Sequence, residues 1–573
     1  MLRLSRLWTR QILKLVFGVL ALLGMLFLVD RYYNILPSAI QTRILLHQQG
    51  HVVVDLKVES CFLQSRCPIT DQVWFRVPKE LSLNKRWNRK SYLYVKRVKE
   101  EELTSNMPVI LDVAVDLNIN NELPPHILKD IEKEEEKEEK KQNISQLSIK
   151  DQHELAGSKG WTKEKFNIWI KRGKYNQFSS ITSVDVLFGH DAQDPRLGWQ
   201  LREGFIGNEQ KSLPRLTVRI GPKQENPEVE LRIHKTGKFK IIQLADLHFS
   251  TDYGACRDLF PANKDERKSC KADPRTLEFV EKVLDQEQPD YVVLTGDQIY
   301  GESSPDSETS ILKVVAPLIR RKIPYSMVMG NHDDEGGSLS RKELVTLVSD
   351  LPYSLTQVGP ENVSGYGNYV QQVLGPRSEN PALTFYFLDS HSRSQNNKLY
   401  PGYAWIEQDQ LDFVTQSYNH LKEKQAQYSH IHMSMAFMHI PFTEYVSNKP
   451  IVGQAREPVT ASKFNLGTRD VLANVGVSVV SVGHDHVNDY CMFHDKTAEE
   501  GPLNHDTAMW LCFGGATGEG GYGGYGGYER RVRLFEIDTQ AATISSWKLL
   551  HEHPDARVDE QVLVRDGKAA LST

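Results

Sequence analysis

The second half of the sequence predicts an α/β fold, and three observations support this prediction. From Lys238 onward, short apolar runs alternate with helix-like segments, as they do in layered α/β sheets. Five polar clusters follow these runs in order, at the strand ends where α/β sheets bind ligands. In the first half, several runs alternate apolar and polar residues, which is typical of half-buried antiparallel strands. We therefore expect a β-rich region followed by an α/β domain.

The α/β domain is expected to span residues 231–553, after a boundary marked by Pro222 and Pro227. Its predicted strands are 241–245, 291–295, 325–329, 384–388, 434–438 and 477–482, and its predicted helices are 275–286, 308–321, 341–349, 405–421 and 468–474. Three later runs, 510–513, 532–537 and 544–549, have no helices between them and are expected to pair antiparallel. Residues 554–573 are expected to form a C-terminal tail.

The preceding region, residues 31–230, carries no catalytic signature and is expected to be a β-rich domain. Its predicted strands are 51–58, 73–77, 92–98, 109–115 and 216–220. Residues 132–141 are ten consecutive charged residues of both signs, and they indicate a charged linker near 130–142. Such a run forms either a solvated helix or a disordered linker.

The N-terminus differs from the rest of the chain because residues 12–29 are apolar apart from Lys14 and two glycines. About 18 to 20 such residues cross a bilayer as a helix. Basic residues precede this segment, so residues 1–30 predict a cytosolic tail and signal-anchor helix. The chain would then be a single-pass type II membrane protein with its catalytic domain lumenal or extracellular, in the endomembrane system or vacuole. A cleaved signal peptide on a secreted protein and a buried core helix are the alternatives.

Composition and cysteine usage bear on which partners the protein binds and on the redox state of its compartment. A chain of 573 residues exceeds one typical domain, and a net charge of −5 gives no reason to expect a nucleic-acid partner. The six cysteines fall into three local couples, Cys61 with Cys67, Cys256 with Cys270, and Cys491 with Cys512. Disulfides beyond a membrane segment and reduced buried thiols both remain open. Asn143 and Asn362 begin glycosylation sequons.

The five polar clusters supply the ligand types of a two-metal site. They contain Asp246 and His248, then Asp297, then Asn331, His332 and Asp333, then His439, and finally His484 and His486. Residues at positions i and i+2 of an extended strand end point the same way, so each Asp-x-His or His-x-His couple can face one ion. Mixed nitrogen and oxygen ligands suit Mn, Fe or Zn. His332 is a candidate general acid, with Asp333 expected to orient its ring.

The order and spacing of these clusters resemble the calcineurin-like metallophosphoesterase superfamily. The pattern D-x-H, G-D-x(n)-G, G-N-H-[D/E], H and G-H-x-H runs complete from Asp246 to His486. Within the superfamily, the sequence most resembles the membrane-anchored fungal phosphatases of the dosage-dependent cell-cycle regulator type and a plant group named with the purple acid phosphatases. The resemblance implies a four-layer metallophosphoesterase β-sandwich flanked by helices.

The resemblance also implies two divalent or trivalent metal ions. Four residues would hold the first ion, namely Asp246, His248, Asp297 and His486. Four would hold the second, namely Asp297, Asn331, His439 and His484, with Asp297 bridging. His332 would be the general acid, and Asn331 and His332 would contact the substrate. Purple acid phosphatases carry glycine in place of His248 and use a tyrosine at the position of Tyr300, so we do not expect Tyr300 to bind metal here.

Two further features concern the substrate. The glycine- and tyrosine-rich stretch 514–528 suits a mobile loop at the mouth of the site, with a disordered spacer as the alternative. His391 is a candidate phosphate contact, with a plain loop as the alternative.

The leading functional hypothesis is hydrolysis of phosphomonoesters by hydroxide bound to the two metals. The resemblance implies a phosphorylated protein (Ser/Thr) as substrate and a role in the cell cycle. The alternatives are a phosphodiesterase or pyrophosphatase acting on nucleotides or lipid head groups, and a catalytically silent membrane scaffold. The expected partners are the phosphoprotein and, through the N-terminal helix, a membrane; the sequence leaves the oligomeric state open.

Overall fold

The computed structural model describes most of the chain after residue 49. The described residues are Lys14, Gly18, 50–61, 70–71, 73–83, 90–117, 122–137, 147–207, 212–261, 264–446, 451–495 and 507–571. The chain divides into two compact units, the first comprising residues 1–189 and 198–224 and the second comprising residues 190–197 and 225–573. The longer part of the second unit begins at residue 225, between Pro222 and Pro227, although residues 190–197 also belong to this unit.

The first unit is built of antiparallel strands, as the sequence predicts. Its strands are β1 (His51–Cys61), β2 (Thr70–Asp71), β3 (Trp74–Glu80), β4 (Lys90–Lys99), β5 (Val109–Val115), β6 (Trp161–Lys163), β7 (Ile168–Gly173), β8 (Ile181–Phe188), β9 (Trp199–Leu201) and β10 (Pro214–Ile220). They form three sheets with the orders β1-β4-β3-β2, β5-β7-β6 and β8-β10-β9. Alternate residues such as Val53, Leu93 and Val218 lie fully buried in a shared apolar core.

Two helices accompany these strands, α1 (Pro125–Lys137) and α2 (Ile149–Ser158). Of the two forms expected for the charged run that begins at residue 132, the structure shows the helix up to Lys137 and not the linker, because this stretch is the second half of α1. Ile127 and Ile131 of α1 are buried against Trp161 and Trp169, so one face of the helix is anchored in apolar residues. Residues 138–146, which include Asn143, lie outside the described residues.

The second unit contains two seven-stranded mixed sheets. Sheet I has the order β13-β12-β11-β21-β22-β23-β24, and sheet II has the order β14-β15-β16-β18-β20-β19-β17. Their strands are β11 (Lys238–Leu244), β12 (Tyr291–Thr295), β13 (Tyr325–Val328), β14 (Tyr369–Leu374), β15 (Pro381–Phe387), β16 (Met433–Phe437), β17 (Ile451–Val452), β18 (Val477–Val482), β19 (Cys491–His494), β20 (Met509–Phe513), β21 (Arg531–Asp538), β22 (Thr543–Leu550), β23 (Val558–Arg565) and β24 (Lys568–Ala569).

The two sheets pack face to face over an aromatic core. Phe239 and Tyr291 of sheet I meet Phe385 of sheet II, with the rings of Tyr291 and Phe385 stacked at 6.0 Å between centroids. In β12, Tyr291 and Val293 point into this core whereas Val292 and Leu294 are buried on the opposite face. Both faces of the central strands are therefore covered, as the continuous apolar runs predict.

The helices described in this unit are α3 (Lys264–Ser269), α4 (Ala272–Glu287), α5 (Ser307–Arg321), α6 (Arg341–Ser349), α7 (Gln408–Ala426) and α8 (Thr468–Asn474). Because α4 and α5 connect the parallel strands β11, β12 and β13, right-handed crossovers place both on one face of sheet I. Leu411 of α7 and Leu472 of α8 are buried against sheet II. The predicted α/β fold with layered sheets is confirmed.

Three predictions for this unit need correction. β20, which contains the predicted strand 510–513, does not pair with the later strands of sheet I but lies parallel to β18 in sheet II. The prediction of a C-terminal tail is wrong, since β23 and β24 continue sheet I through residue 569. Leu563 and Val564 of β23 are fully buried in the core between the sheets, which gives this segment a place in the fold. The short apolar run 562–564 carried that signal.

The predicted N-terminal helix, residues 12–29, lies outside the described residues apart from Lys14 and Gly18. Within the part of the chain that the structure describes, we find no helix with the length and apolar character needed to span a bilayer.

Candidate metal centre

The predicted ligands converge where the carboxyl ends of both sheets meet. Asp246, Asp297 and Asn331 follow the parallel strands β11, β12 and β13 of sheet I. His439 and His484 follow β16 and β18 of sheet II. Parallel neighbours in one sheet end at the same edge, so each sheet delivers its polar side chains to one place. Asp246, His248, Asp297, His439 and His486 are at most 1% exposed, and Asn331 and His484 are also buried.

The first group of donor atoms comprises Asp246, His248 and His486. Nε2 of His248 lies 3.0 Å from Nε2 of His486, and Nε2 of His486 lies 3.7 Å from Oδ1 of Asp246. Nε2 of His248 is also 3.7 Å from Oδ2 of Asp297. Carboxylate and imidazole atoms thus surround one point at the spacing that ligands of a single ion have.

The second group comprises Asp297, His439 and His484. Nε2 of His439 lies 3.3 Å from Oδ2 of Asp297 and 3.3 Å from Nδ1 of His484. Oδ1 of Asn331 is 3.2 Å from the same His439 nitrogen. Because Oδ2 of Asp297 approaches a histidine of each group, this carboxylate is placed to bridge two ions. The convergence matches the two ligand sets that the resemblance implies.

The chemistry of the donors fits cations. Oδ2 of Asp297 is buried and accepts no hydrogen bond within the described part of the chain, although a buried carboxylate oxygen normally has a partner. Burial lowers the pKa of His248 and of His484 to about 3, so both rings are neutral and keep a lone pair for a metal. Burial also opposes a charge on His439, but the Asp297 carboxylate outweighs it and raises the pKa of His439 to about 9. The site therefore attracts positive charge, and its nitrogen and oxygen donors are compatible with Mn, Fe or Zn.

The backbone around the ligands is held in an uncommon conformation. Four ligands have left-handed φ values, namely Asp246 (53°), His248 (51°), Asp297 (51°) and His484 (75°). Each such residue costs on the order of 1–3 kcal/mol unless its surroundings impose the conformation. Here the surroundings do so, since the backbone N–H of His484 donates to both carboxylate oxygens of Asp246 at 3.1 Å.

Glycines before three ligands leave room for this packing. A Cβ on Gly296 would lie 2.4 Å from Nδ1 of His439, and one on Gly330 would lie 2.1 Å from Oδ1 of Asp297. A Cβ on Gly483 would lie 2.9 Å from Oδ2 of Asp246. The Gly-Asp, Gly-Asn and Gly-His dipeptides of the motifs are therefore steric requirements of this centre.

Comparison with known proteins agrees with this geometry. The model of the calcineurin-like phosphoesterase family matches residues 239–488. Phosphatase DCR2 of Saccharomyces cerevisiae is 42% identical in an alignment 415 residues long that covers 69% of this chain and 68% of that protein. The chain belongs to the calcineurin-like phosphoesterase family. The predicted family and the predicted pair of metal sites are thereby confirmed.

Other relatives of this calcineurin-like phosphoesterase include a protein of Arabidopsis thaliana named probable inactive purple acid phosphatase 28. It is 32% identical, over 59% of this chain and 87% of its own length. Among solved structures, a dimetal phosphatase from Danio rerio aligns with a TM-score of 0.37 and 14% identity, covering 57% of this chain and 99% of that one.

His332 lies beside the metal groups of the phosphoesterase centre, but its partner is not the predicted one. Its ring centroid is 5.6 Å from that of His248, and its Nδ1 is 2.7 Å from Oε2 of Glu335. The prediction that Asp333 orients His332 is wrong. Asp333 is fully buried and accepts hydrogen bonds from the backbone N–H groups of Asp297 and Ile299, at 3.1 and 3.0 Å, and of Gly330. It therefore braces the ligand loops, whereas Glu335 contacts the candidate acid.

Tyr300 is close to the centre without being one of its donors. Its ring lies 5.8 Å from that of His248, and its hydroxyl donates to Glu302 at 3.2 Å. The expectation that Tyr300 does not bind metal is consistent with this placement.

The glycine- and tyrosine-rich stretch packs directly on a predicted ligand, in contrast to the mobile loop or disordered spacer considered from the sequence. The ring of Tyr522 stacks on that of His486 at 3.6 Å between centroids, and the Tyr522 hydroxyl donates to the carbonyl of His484 at 2.9 Å. The hydroxyl of Tyr528 lies 3.2 Å from Nδ1 of His486. The intervening glycines permit this approach, since a Cβ on Gly521 would lie 2.4 Å from the His486 ring. The repeated Gly-Gly-Tyr sequence is compatible with close packing, but it does not indicate that the tyrosines pack on His486.

His391 is engaged in the protein framework. Its Nε2 lies 2.9 Å from Oε1 of Gln410, and its backbone N–H donates to Asp389 at 2.9 Å. Asp389 is ion-paired with Arg341, which also donates to the carbonyl of Met329. The structure thus gives His391 a part in holding the loop after β13, and its predicted contact with phosphate stays a prediction. Asn362, the second sequon residue, is exposed.

Proposed function

We propose that this phosphoesterase is a metal-dependent phosphatase acting on phosphomonoesters of proteins. The single observation that carries the proposal is the placement of Asp297 between two groups of buried imidazoles, with one buried oxygen that accepts no hydrogen bond in the described structure. Two metal ions held there would polarise a phosphate ester and lower the pKa of an attacking water. The name of the yeast relative, a phosphatase, supports the same activity.

Separate residues serve in metal binding and in proton transfer. Asp297 and the two histidine groups would hold the ions, and the amide of Asn331 places a neutral oxygen beside His439. His332 uses Nδ1 for Glu335, which leaves Nε2 available to give a proton to the leaving oxygen. The His332 side chain is 25% exposed, so an ester in solvent can reach it.

The protein substrate and a cell-cycle role are the finer parts of the proposal. Their support is the resemblance to the fungal phosphatases, one of which is 42% identical to this chain. Hydrolysis of a panel of phosphopeptides, nucleotides and phosphodiesters by purified protein with added manganese tests the substrate class. Turnover restricted to diesters or pyrophosphates would overturn the monoesterase assignment.

A catalytically silent scaffold is the second candidate, because one group of plant relatives carries the words probable inactive in its names. The two candidates differ in what Asp297→Ala and His332→Ala do. In a phosphatase, Asp297→Ala loses metal and turnover, whereas His332→Ala keeps both metals and loses rate on esters with poor leaving groups. Wild-type protein that binds two metals yet turns over no ester of the panel would support the scaffold.

We also propose that the catalytic unit works in an oxidising compartment, lumenal or extracellular. Cys256 with Cys270 and Cys491 with Cys512 form disulfides, and Cys61 is also disulfide-bonded. Disulfides persist mainly outside the reducing cytosol. Protease protection in sealed membrane vesicles tests this location. If the protease fully digests the catalytic unit in vesicles whose cytosolic face points outward, the proposed location is wrong.

A further inference from the structure

Two exposed arginines lie beside the metal centre, one near each group of donors. The guanidinium carbon of Arg257 is 5.8 Å from the centroid of Tyr300, whose ring is 5.8 Å from that of His248. The guanidinium carbon of Arg393 is 5.1 Å from the centroid of Tyr403, whose ring meets that of His484 edge-on at 4.6 Å. The same arrangement of arginine, tyrosine and ligand histidine therefore occurs at both ends of the centre.

Neither guanidinium has a carboxylate or hydrogen-bond partner in the described parts of the chain, and each lies within cation–π distance of its tyrosine ring. Other arginines around the centre are neutralised within the protein. Arg275 pairs with Glu519 and Glu552, and Arg341 and Arg531 pair with aspartates. Contact with an aromatic face orients an arginine without cancelling its charge.

The carboxylates close to these arginines hydrogen-bond to other groups of the protein. Glu302 accepts from Tyr300, and Glu335 contacts His332. Asp252 accepts from the backbone of His190 at 2.9 Å and lies 3.2 Å from its ring nitrogen. Among the described residues, neither guanidinium is paired with one of these carboxylates, so each can bind an anionic group of a substrate.

The surroundings of Arg257 include space for a ligand group. A cavity of about 350 Å³ is lined by Ser250, Asp252, Gly254, Ala255, Arg257, Tyr300, Ser303 and Gly520. That volume is at the lower end of ligand pockets and exceeds what one phosphate needs. Tyr300 belongs both to this cavity and to the ring cluster around His332. A substrate whose phosphate reaches the metals can thus extend a neighbouring group into the cavity.

We propose that the preferred substrate is a phosphorylated peptide segment with acidic side chains on both sides of the phosphorylated residue. Arg257 binds the acidic group on one side, and Arg393 binds that on the other. This inference rests on the proposed phosphoprotein phosphatase activity. It adds that the two arginines select among phosphoproteins by the charge of the side chains that flank the phosphorylated residue. Both are specificity-determining residues, since neither belongs to the metal groups.

The test compares two phosphopeptides that differ only at the flanking positions, which are Glu in one and Gln in the other. Full-length protein is assayed with manganese, and the measured quantity is the ratio of kcat/KM for the Glu peptide to that for the Gln peptide. We expect a ratio well above one that falls with added salt, because exposed ion pairs are screened. Arg257→Gln and Arg393→Gln should each lower it about two- to fivefold, the range of an exposed ion pair.

Matched variants separate charge from folding. Arg257→Lys keeps the charge and should retain most of the preference, whereas Arg257→Glu with Arg393→Glu should favour a peptide with lysine flanks. Arg377→Gln is the control, since this exposed arginine lies between β14 and β15, at the edge of sheet II away from the ends of the parallel strands. It should leave the ratio unchanged.

The outcomes distinguish the inference from the function on which it rests. Equal turnover of the Glu and Gln peptides by the wild-type protein, or a preference that survives in the Arg257→Gln/Arg393→Gln variant, overturns the arginine assignment and leaves the phosphatase standing. Hydrolysis of p-nitrophenyl phosphate without hydrolysis of either peptide overturns the protein substrate, and the inference with it.

Discussion

Replacing Gly330 by alanine tests whether the metal centre depends on the close approach of two loops. A Cβ at this position would lie 2.1 Å from Oδ1 and 2.2 Å from the backbone nitrogen of Asp297. Ordinary contacts of a Cβ begin near 3.4 Å, so the two loops must separate by more than about 1 Å. Asp297 cannot rotate away freely, because Oδ1 accepts the backbone N–H of His332 at 2.8 Å. The carboxylate that approaches both donor groups must therefore move.

The expected magnitude follows from that displacement. Overpacking of this kind costs about 1–3 kcal/mol of folding stability. A misplacement of about 1 Å at a catalytic group costs about a hundredfold in rate. We therefore expect Gly330→Ala to fold with a lower Tm, to hold less than two metals per chain by elemental analysis, and to lose about two orders of magnitude in kcat on p-nitrophenyl phosphate.

A matched control uses Gly157, which lies in α2 and where an added Cβ would have no atom within 4 Å. Gly157→Ala should keep metal content and activity and raise stability slightly, as alanine does in a helix. The steric account of the motif glycines would be refuted if Gly330→Ala bound two metals with wild-type affinity and turned over at the wild-type rate.

Three further predictions address the surroundings of the centre. Glu335→Gln should keep both metals but lower kcat about tenfold on alkyl phosphates and much less on p-nitrophenyl phosphate. The reason is that only a poor leaving group needs a proton from His332, which Glu335 contacts. An equal loss of kcat on both esters would contradict a role of Glu335 in supporting His332 as the acid. Tyr528→Phe removes the contact with Nδ1 of His486 and should weaken the binding of one metal about tenfold in a manganese titration. Tyr525→Phe is the control, since the Tyr525 hydroxyl contacts Glu457 instead, and it should leave manganese affinity unchanged. Equal manganese affinities of the two variants would show that Tyr528 does not position His486. Burial opposes the charge on Asp389, but Arg341 outweighs it and lowers the pKa of Asp389 to about 2, so this carboxylate stabilises the fold by about 2 kcal/mol above pH 4 and loses that contribution as the pH falls through 2. The destabilisation caused by Asp389→Asn in urea unfolding should therefore shrink between pH 4 and pH 2, and a constant difference would show that the ion pair does not set it.

The central strands and the ligands could be predicted because their signals are local. Residues 291–295 and 477–482 are apolar over most of the length of a buried strand, and each is followed directly by a motif glycine. The motifs contain the residue types that bind metals. Because binding sites form at the carboxyl ends of parallel strands, Asp297 and His484 are then predicted to lie close together. Residues 341–349 carry a capping box, Ser340 with Glu343, that marks the start of α6.

The remaining features depend on contacts between distant parts of the chain. The strand 510–513 looks the same whether it joins sheet I or sheet II, and only its register with β18 places it. Asp333 follows His332 in sequence, yet its carboxylate turns toward backbone N–H groups 34 and 36 residues away. Glu335 has no motif of its own, and the targets of Tyr522 and Tyr528 lie 36 to 42 residues earlier. Side-chain direction at a turn is set by this three-dimensional packing, which the local pattern does not encode.

These contacts explain why the centre tolerates so much strain in its ligands. Asp246, Asp297 and His484 adopt left-handed backbone angles on loops that come from different sheets. Each loop is held by a group from another loop: the Asp246 carboxylate by the His484 backbone, and the Asp297 backbone by Asp333. A loop that relaxed alone would break the hydrogen bond that fixes its neighbour, so the strained conformations are retained together. The two sheets therefore do more than carry the ligands, because packing them against each other is what keeps the donor atoms within one ion's reach.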